Sequence, residues 1–437
     1  MIPRETFARY AAMHVPRYTS YPTAPNFVPS VGDGEYRQWL QSVDEEESLS
    51  IYLHIPFCRE MCWYCGCHTS VSRRQEPISR YVSALIKEIR LVATRLRSHF
   101  DVRHVHWGGG SPTLLTVENI DLIHGALKAN FSLDPLAENA VEIDPRTLTG
   151  ELAGAFARAG VNRASLGVQS FDASVQAAIN RMQSFDTTAD AVRLLRESGI
   201  PAINFDLIYG LPFQSVGSCL ETVEQAVRLQ PDRLAVFGYA HVPSFKPHQR
   251  KIDQGALPGP AERFEQARAI ADALTAAGYR QIGIDHFALP GDSLALAAEG
   301  GTLHRNFQGY TTDRCNTLLG FGASAIGRLA GGYVQNAPRI PDYERSIAAG
   351  RLATVRTCQI DEEDRRRGAI IEALMCNFRA PVGDIERDLS RFESDGLIRR
   401  SDGFIEVVEE ARPLVRTIAA AFDSYLPHSA ATHAVAI

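Results

Sequence analysis

Leu49-Ser-Ile-Tyr-Leu-His-Ile-Pro56 is followed at once by Phe57-Cys58-Arg-Glu-Met-Cys62-Trp-Tyr-Cys65-Gly-Cys67, so an apolar strand-like run opens onto four cysteines within ten residues. Three thiolates at C-x3-C-x2-C spacing can hold three irons of a cubane iron–sulfur cluster. A four-iron cluster normally takes four thiolates, so one iron is left open to another ligand. Cys67 complicates that count. Positions 58, 62 and 65 are also i, i+4 and i+7, the spacing of one helix face, but Pro56 before them and Gly66 among them argue for a loop. Cys65 and Cys67 cannot share a helix face, so all four converge only on irregular backbone. A structural zinc site usually spaces two C-x2-4-C pairs further apart, and this group is too compact for that. The iron–sulfur reading is the favoured one.

Outward from this stretch, strands and helices alternate. The strand candidates are Ile51–Ile55, Val102–Trp107, Ala140–Ile143, Arg163–Val168, Ala202–Ile208 and Arg233–Tyr239. The helical candidates between them are Ile78–Leu96, Val117–Asn130, Thr147–Arg158, Thr187–Glu197 and Cys219–Leu229. Each strand reads as apolar on both faces, and six such units predict a parallel sheet with helices outside. The count falls short of the eight units of a closed barrel and predicts a partial one.

Residues 1–48 form an N-terminal arm in this reading, with Pro16-Arg-Tyr-Thr-Ser-Tyr-Pro22 extended because residues before proline avoid the α region. The alternation breaks at Pro243–Lys251. A helix over Ala261–Ala277 and a less regular Gly-rich region up to about residue 350 follow. The segment 351–437 reads as a small, mainly helical, winged-helix-like domain: helices Glu362–Met375 and Val382–Asp395, a β-like pair over 397–408 and a last helix near Ala411–Tyr425. It is not strongly basic, so packing or substrate covering is its expected role. No internal repeat or low-complexity tract stands out.

Net charge is −6, which argues against a global field for nucleic acid or anionic lipid. No apolar run approaches the ~18–20 residues that span a bilayer, and the charged Met1–Tyr10 segment lacks the apolar stretch of a signal peptide. A cytoplasmic protein follows. The 8 cysteines are too sparse for a disulfide framework, and Cys219, Cys315, Cys358 and Cys376 read as small buried residues.

In parallel barrels, chemistry sits at the C-terminal strand ends. Here those ends carry Tyr52 and His54, Gly108-Gly-Gly-Ser111, Glu142-Ile-Asp144, Gln169-Ser170, Asp206 with Tyr209-Gly-Leu-Pro212, and Tyr239-Ala-His241. Singly, each has a plain reading: a tight turn for the glycines, a cap or surface acid for Glu142 or Asp206, a hydrogen-bonded core residue for His54, and the same for His241 and His248. Together they exceed what packing requires, and the glycine run is expected to expose amides that bind a carboxylate or amino group.

C-x3-C-x2-C after a strand, followed by Gly-Gly-Gly-Ser-Pro-Thr at the second strand, resembles the radical S-adenosylmethionine superfamily. Pro16-Arg-Tyr-Thr-Ser-Tyr-Pro-Thr23, His54-Ile-Pro-Phe-Cys58, Cys65-Gly-Cys67, Glu142–Arg146, Gly167-Val-Gln169, Asp206–Pro212, Tyr239-Ala-His241, Gln249-Arg-Lys251, Asp285-His-Phe287 and His304–Thr312 resemble the oxygen-independent coproporphyrinogen III oxidases, over nearly the whole chain. Ser111, where the family often has Thr, and Asp313-Arg-Cys-Asn316 depart from the pattern.

The resemblance implies that Cys58, Cys62 and Cys65 ligate a [4Fe–4S] cluster whose open iron is chelated by S-adenosylmethionine, and that two such molecules bind side by side. Tyr52, Gly109, Glu142 and Ile326 match positions contacting the first. Tyr64, Gly110, Ser111, Gln169, Arg181, Asp206 and Ala240 match positions contacting the second. Cys67 matches a non-ligating cysteine near the active site, and Gln308 a position linked to activity.

The implied reaction converts two propionates of coproporphyrinogen III to vinyl groups, giving protoporphyrinogen IX in haem biosynthesis. A 5′-deoxyadenosyl radical removes a β-hydrogen, and the electron comes from a low-potential donor such as flavodoxin or ferredoxin. A monomer is expected. Because the substrate carries four carboxylates, Arg17, Arg250, Lys251 and Arg305 are candidates to bind them, against a plain reading as surface salt bridges. The rivals are a haem-trafficking relative, which usually lacks the Cys65-Gly-Cys67 and Asn306-Phe-Gln-Gly segments, and a zinc-stabilised nucleic-acid module.

Overall fold

A computed structural model of the chain describes residues 2–30, 32–382 and 388–426. Six parallel strands, β1 (Leu49–Ile55), β2 (Asp101–Gly109), β3 (Ser132–Ile143), β4 (Arg163–Gln169), β5 (Ala202–Tyr209) and β6 (Arg233–Gly238), lie side by side in sequence order. Helices α1 (Gln75–Ala93), α2 (Val117–Asn130), α3 (Gly150–Arg158), α4 (Phe185–Glu197) and α5 (Val216–Arg228) make the crossovers, and α6 (Pro260–Ala276) follows β6. Local chemistry sets their starts. Thr116, Thr149, Ser184 and Ser215 each accept an amide of the first helical turn, and Pro260 opens α6 where no amide partner is needed.

The sheet continues beyond these six. Arg280–Ile282 (β7) pairs antiparallel to His286–Ala288 (β8), which in turn pairs antiparallel to β6. On the other flank Thr317–Phe321 (β9) pairs parallel to β1, and Ile326–Leu329 (β10), Gly332–Asn336 (β11) and Thr354–Gln359 (β12) follow antiparallel. Much of the region read as irregular up to residue 350 is therefore strand. Its glycines hide this from any periodicity: a Cβ on Gly320 would lie 2.5 Å from the Ile326 carbonyl oxygen, so the strands pack where no side chain fits. β12 belongs to the large sheet, and Val28–Pro29 of the N-terminal arm pairs antiparallel to it at the edge.

Strands β4 and β5 are not apolar on both faces. Ala164, Leu166, Val168, Ile203, Phe205 and Leu207 pack outward in the core, whereas Ser165, Asn204 and Asp206 line a cavity enclosed by the sheet. A barrel that holds a polar ligand needs polar groups inside, and only the outer face is packed against helices. One end of that cavity is lined by Glu138, Arg163 and Arg233, with Asp292 behind the two arginines. Arg163 meets Glu138 at 3.2 Å and Asp292 at 3.4 Å, and Arg233 meets Asp292 at 2.6 Å and Glu138 at 3.7 Å.

The N-terminal arm is partly helical, with Arg4–Ala11 and Gly34–Gln41. Its Tyr10, Tyr18 and Tyr21 share a core with Leu374, Met375, Ile418 and Phe422 of the C-terminal segment. That segment begins with α7 (Glu362–Asn377) and contains a three-stranded antiparallel sheet of 379–381, 398–401 and 404–407. Of the expected helix Val382–Asp395, residues 383–387 lie outside the described residues and the rest holds only Ser390–Ser394. The last helix is broken into 3-10 and α turns around Pro413, which lacks the amide a continuous helix requires.

Candidate active site

Cys58 ends a short strand, Phe57–Cys58, that pairs with Ser70–Val71, so residues 59–69 close into a loop. The loop is held from outside at successive carbonyls. Gln249 Nε2 donates to the Tyr64 carbonyl at 3.0 Å, His248 Nε2 to Cys65 at 2.7 Å and Lys246 Nζ to Cys67 at 3.0 Å. Asn180 Nδ2 donates to the Met61 carbonyl at 2.9 Å, and the Trp63 amide to Ile179 at 2.9 Å. The break in alternation at residues 243–251 is therefore a clamp. His248 belongs to it as a donor, neither a core residue nor a ligand.

The three sulfurs have different surroundings. Cys58 Sγ accepts from Thr69 Oγ1 at 3.1 Å, and burial pushes its thiol up to about 12. Buried Cys62 faces two guanidiniums, Arg181 Nη1 at 3.6 Å and Arg146 Nη2 at 3.8 Å. Hydrogen bonding with Cys67 draws Cys65 down to about 7 and holds Cys67 well above the ordinary thiol range. Among the described residues no three His, Cys, Asp or Glu side chains converge on one metal-ion position. In a cubane each thiolate binds its own iron, so the donors need only line a common wall, and Cys58, Cys62 and Cys65 do.

The glycine run works differently from the expectation. All three of its following amides are already bonded: Gly109 to Glu142 Oε2 at 3.0 Å, Gly110 to the Ile55 carbonyl at 2.8 Å and Ser111 to the Phe57 carbonyl at 2.7 Å. The amides tie the second strand end to the first instead of facing a ligand. Glycine is required for close approach. A Cβ on Gly108 would lie 2.6 Å from Glu142 Oε1, and one on Gly109 (φ +109°) 2.5 Å from the His54 ring.

Glu142 also accepts from His106 Nε2 at 3.1 Å. Burial would raise its carboxyl, but His106 and the Gly109 amide more than offset this and keep it below the usual range. Tyr52 stacks near His106 and donates to His54 Nδ1 at 3.0 Å, while His54 Nε2 bonds the His68 carbonyl at 2.9 Å. Burial, with Glu142 nearby, pushes Asp206 up to about 6 against hydrogen bonds from Ser165 and Asn204. Gln169 sits at the end of β4 with φ +66°, a conformation rare for a non-glycine residue. Arg181 is buried, donates to the Gly167 carbonyl at 2.7 Å, and has an Nε with no hydrogen-bond partner.

Two adjoining cavities gather these groups. One, of about 430 Å³, is lined by Cys58, Cys62, Cys65, Tyr64, Gly110, Ser111, Gln169, Arg181 and Ala240. The other, of about 410 Å³, is lined by Tyr52, Gln308 and Ile326. Cys67, Gly109, Glu142 and Asp206 border both. Every residue singled out from the sequence for cluster, cosubstrate or catalysis thus lines one cavity or the other. The cationic candidates divide. Arg17 and Arg305 line a neighbouring cavity, whereas Arg250 and Lys251 lie exposed on the clamp and line none of these three, Lys251 resting 5.7 Å from the Trp63 ring centroid.

Sequence reasoning missed Arg146, His106, Ser165, Asn204 and the clamp. The signal for Ser165 and Asn204 was present as a period-two polar pattern in β4 and β5. The clamp had none, because its partners lie roughly 180 residues from the loop.

Residues 52–226 match the family model described as the Radical SAM superfamily. The chain is 52% identical to the oxygen-independent coproporphyrinogen III oxidase of Bradyrhizobium diazoefficiens over 98% of both chains. To the protein of that description in Paracoccus denitrificans it is 42% identical, over 97% of this chain and 96% of the other. Among solved structures, the Escherichia coli coproporphyrinogen III oxidase, described as a radical SAM enzyme, superposes with TM-score 0.89 at 37% identity, covering 94% of this chain and 100% of that one.

Proposed function

This chain belongs to the oxygen-independent coproporphyrinogen III oxidases of the radical S-adenosylmethionine superfamily, and from that premise we propose how its two cavities divide the work. It is an oxidoreductase of haem biosynthesis that acts on coproporphyrinogen III without oxygen, with a [4Fe–4S] cluster and S-adenosylmethionine.

Cys58, Cys62 and Cys65 hold the cluster. Their thiols share one wall, and the guanidiniums beside Cys62 offset thiolate charge. When bound, the cluster would supply the electron that cleaves the sulfonium, and the 5′-deoxyadenosyl radical would take a β-hydrogen from a propionate, which would then lose carbon dioxide and pass one electron to an acceptor to leave the vinyl group. Positioning is left to the protein.

Tyr64, Gly110, Ser111, Gln169, Arg181, Asp206 and Ala240 line the cavity that carries the cysteines, so the cosubstrate chelated to the open iron lies among them. Arg181, with an unpartnered buried Nε, faces its carboxylate, and Asp206 accepts ribose hydroxyls. Tyr52, Gly109, Glu142 and Ile326, matched to the first of the two cosubstrate molecules, line the other cavity, which takes that molecule beside Gln308, so the molecule at the open iron is the second of the pair. Glu142, held ionised, accepts from an ammonium group. Cys67, on the border of both, contacts the reacting groups without ligating iron.

The observation that carries this reading is the assembly of every singled-out residue around two adjoining cavities in a chain 52% identical to a family member over nearly its full length. A low-potential flavodoxin or ferredoxin supplies the electron to a cytoplasmic monomer. No helix among the described residues is long and apolar enough to cross a membrane. The test is an anaerobic assay with coproporphyrinogen III, S-adenosylmethionine and a reductant. Protoporphyrinogen IX is expected; haem binding without a vinyl product overturns the reading in favour of a haem carrier.

A further inference from the structure

A third cavity, of about 560 Å³, opens between the ends of β5 and β6, α6, the N-terminal arm and the last helical turns of the C-terminal segment. Five arginines line it: Arg268 on the solvent side, and Arg17, Arg263, Arg305 and Arg416 from four parts of the chain. Arg305 and Arg416 are buried and Arg263 is half-buried, so the charge lies in the wall and not on the rim. Arg17 Nη2 donates to the Gly238 carbonyl at 3.1 Å, and Arg263 lies against the same glycine, where a Cβ would come within 3.1 Å of its Nη2. Arg305 lies over the Tyr310 ring at 4.4 Å, and its nearest acid, Asp285, stands 3.9 Å from Nη1. Nε and Nη1 of Arg305 and Nε of Arg263 have no hydrogen-bond partner.

Among the described residues Asp285 is the one acid deep in this wall, and it also accepts from His286 at 2.7 Å. Asp272, Glu409 and Glu410, with Arg268, lie exposed toward solvent. Arg263 and Arg305 keep unpartnered donors in this wall. Burial, with Arg17 nearby, lowers Arg416 to about 10 and depresses Arg263, whereas Tyr310 and Asp285 hold Arg305 above its ordinary range despite burial. Buried cations with unused, fork-shaped donors suit carboxylates, which each guanidinium grips through two parallel hydrogen bonds. The cavity adjoins the cysteine cavity, sharing Arg17, Phe237, Gly238, Tyr239 and Ala240.

We infer that this arginine-lined cavity seats those substrate carboxylates that are not reacting, while the reacting propionate extends past Tyr239 and Ala240 toward the cysteine cavity. The inference rests on the coproporphyrinogen reading and adds the groups that recognise the tetracarboxylate. It also replaces Arg250 and Lys251 with Arg263 and Arg416 as partners of Arg17 and Arg305.

The test titrates the full, anaerobically reconstituted chain with coproporphyrin III, its stable aromatic form, and with the tetramethyl ester, following porphyrin fluorescence at rising salt. Wild type is expected to bind the tetracarboxylate with a strong salt dependence and to bind the ester at least tenfold more weakly, a comparison that needs no variant. Arg263→Gln is expected to weaken coproporphyrin binding tenfold or more and to flatten the salt dependence, with Arg263→Lys between the two; iron content and circular dichroism report folding. Equal affinity for acid and ester overturns the inference, as does an unchanged affinity in folded Arg263→Gln or displacement by inorganic phosphate at micromolar concentration. If wild type binds coproporphyrin III in this way yet forms no vinyl product, the reaction assignment fails and the carboxylate site stands. If it turns over and Arg263→Gln binds as wild type does, the site fails and the reaction stands.

Discussion

His248 donates from Nε2 to the carbonyl oxygen of Cys65 at 2.7 Å, across 183 residues of sequence. With Lys246 and Gln249 it fixes three carbonyls of a loop that has little regular structure of its own. A cluster loop must present its thiols at fixed spacing before metal arrives, and these bonds supply that order. His248→Ala is expected to release iron to a chelator several-fold faster than wild type, with His248→Gln intermediate. Identical release rates would show that the clamp does not order the loop.

Cys62 and Cys67 separate in the same assay. Cys62→Ser removes a proposed cluster ligand facing Arg181 and Arg146, so reconstituted protein is expected to lose its iron. Cys67→Ser, on the border of two cavities, is expected to retain full iron and lose at least tenfold in vinyl product. Iron loss in the second variant would make Cys67 a ligand.

Glu88 is buried behind the site and accepts from the Gly322 amide at 2.7 Å, Asn336 Nδ2 at 2.6 Å and Tyr343 at 2.7 Å. Burial raises its carboxyl to about 7 despite those bonds. An acid whose folded value exceeds its unfolded one binds more protons folded, so it lowers stability as pH rises from the unfolded value toward about 7. The stability of wild type relative to Glu88→Gln should therefore fall by roughly 3 kcal/mol between about pH 4.5 and above pH 7. Urea unfolding of both proteins at the two pH limits checks it; a constant difference would contradict it.

Asp292 pairs with Arg233 and Arg163 inside the sheet and caps the following helix through the Leu294 amide at 2.7 Å. Asp292→Ala leaves two buried guanidiniums to Glu138 alone and should cost about 3–5 kcal/mol. Asp292→Asn keeps the cap and should cost less. Thermal denaturation ranks the three proteins, and equal midpoints would show that the ionic cluster is not stabilising.

The six parallel strands were legible because each carries apolar residues that pack on the helices in a run bounded by turn residues, and α2 matched its expected limits, Val117–Asn130, because Thr116 with Asn119 makes a capping box at its start. The strands β9–β12 were not, since their glycines serve close backbone approach and interrupt any alternation. Pro413 could be seen in the sequence, yet its break in the last helix was overlooked.

For the site, the sequence by itself determined the chemistry: thiols at C-x3-C-x2-C spacing and polar residues at strand ends, all local patterns set by neighbours in the chain. Tertiary structure alone decided where those groups point. It turned the glycine amides back onto Ile55, Phe57 and Glu142, placed Cys67 between two cavities and drew Arg17, Arg263, Arg305 and Arg416 into one wall. Orientation and charge clustering depend on which distant segments share a surface, and no period or spacing along one chain encodes that.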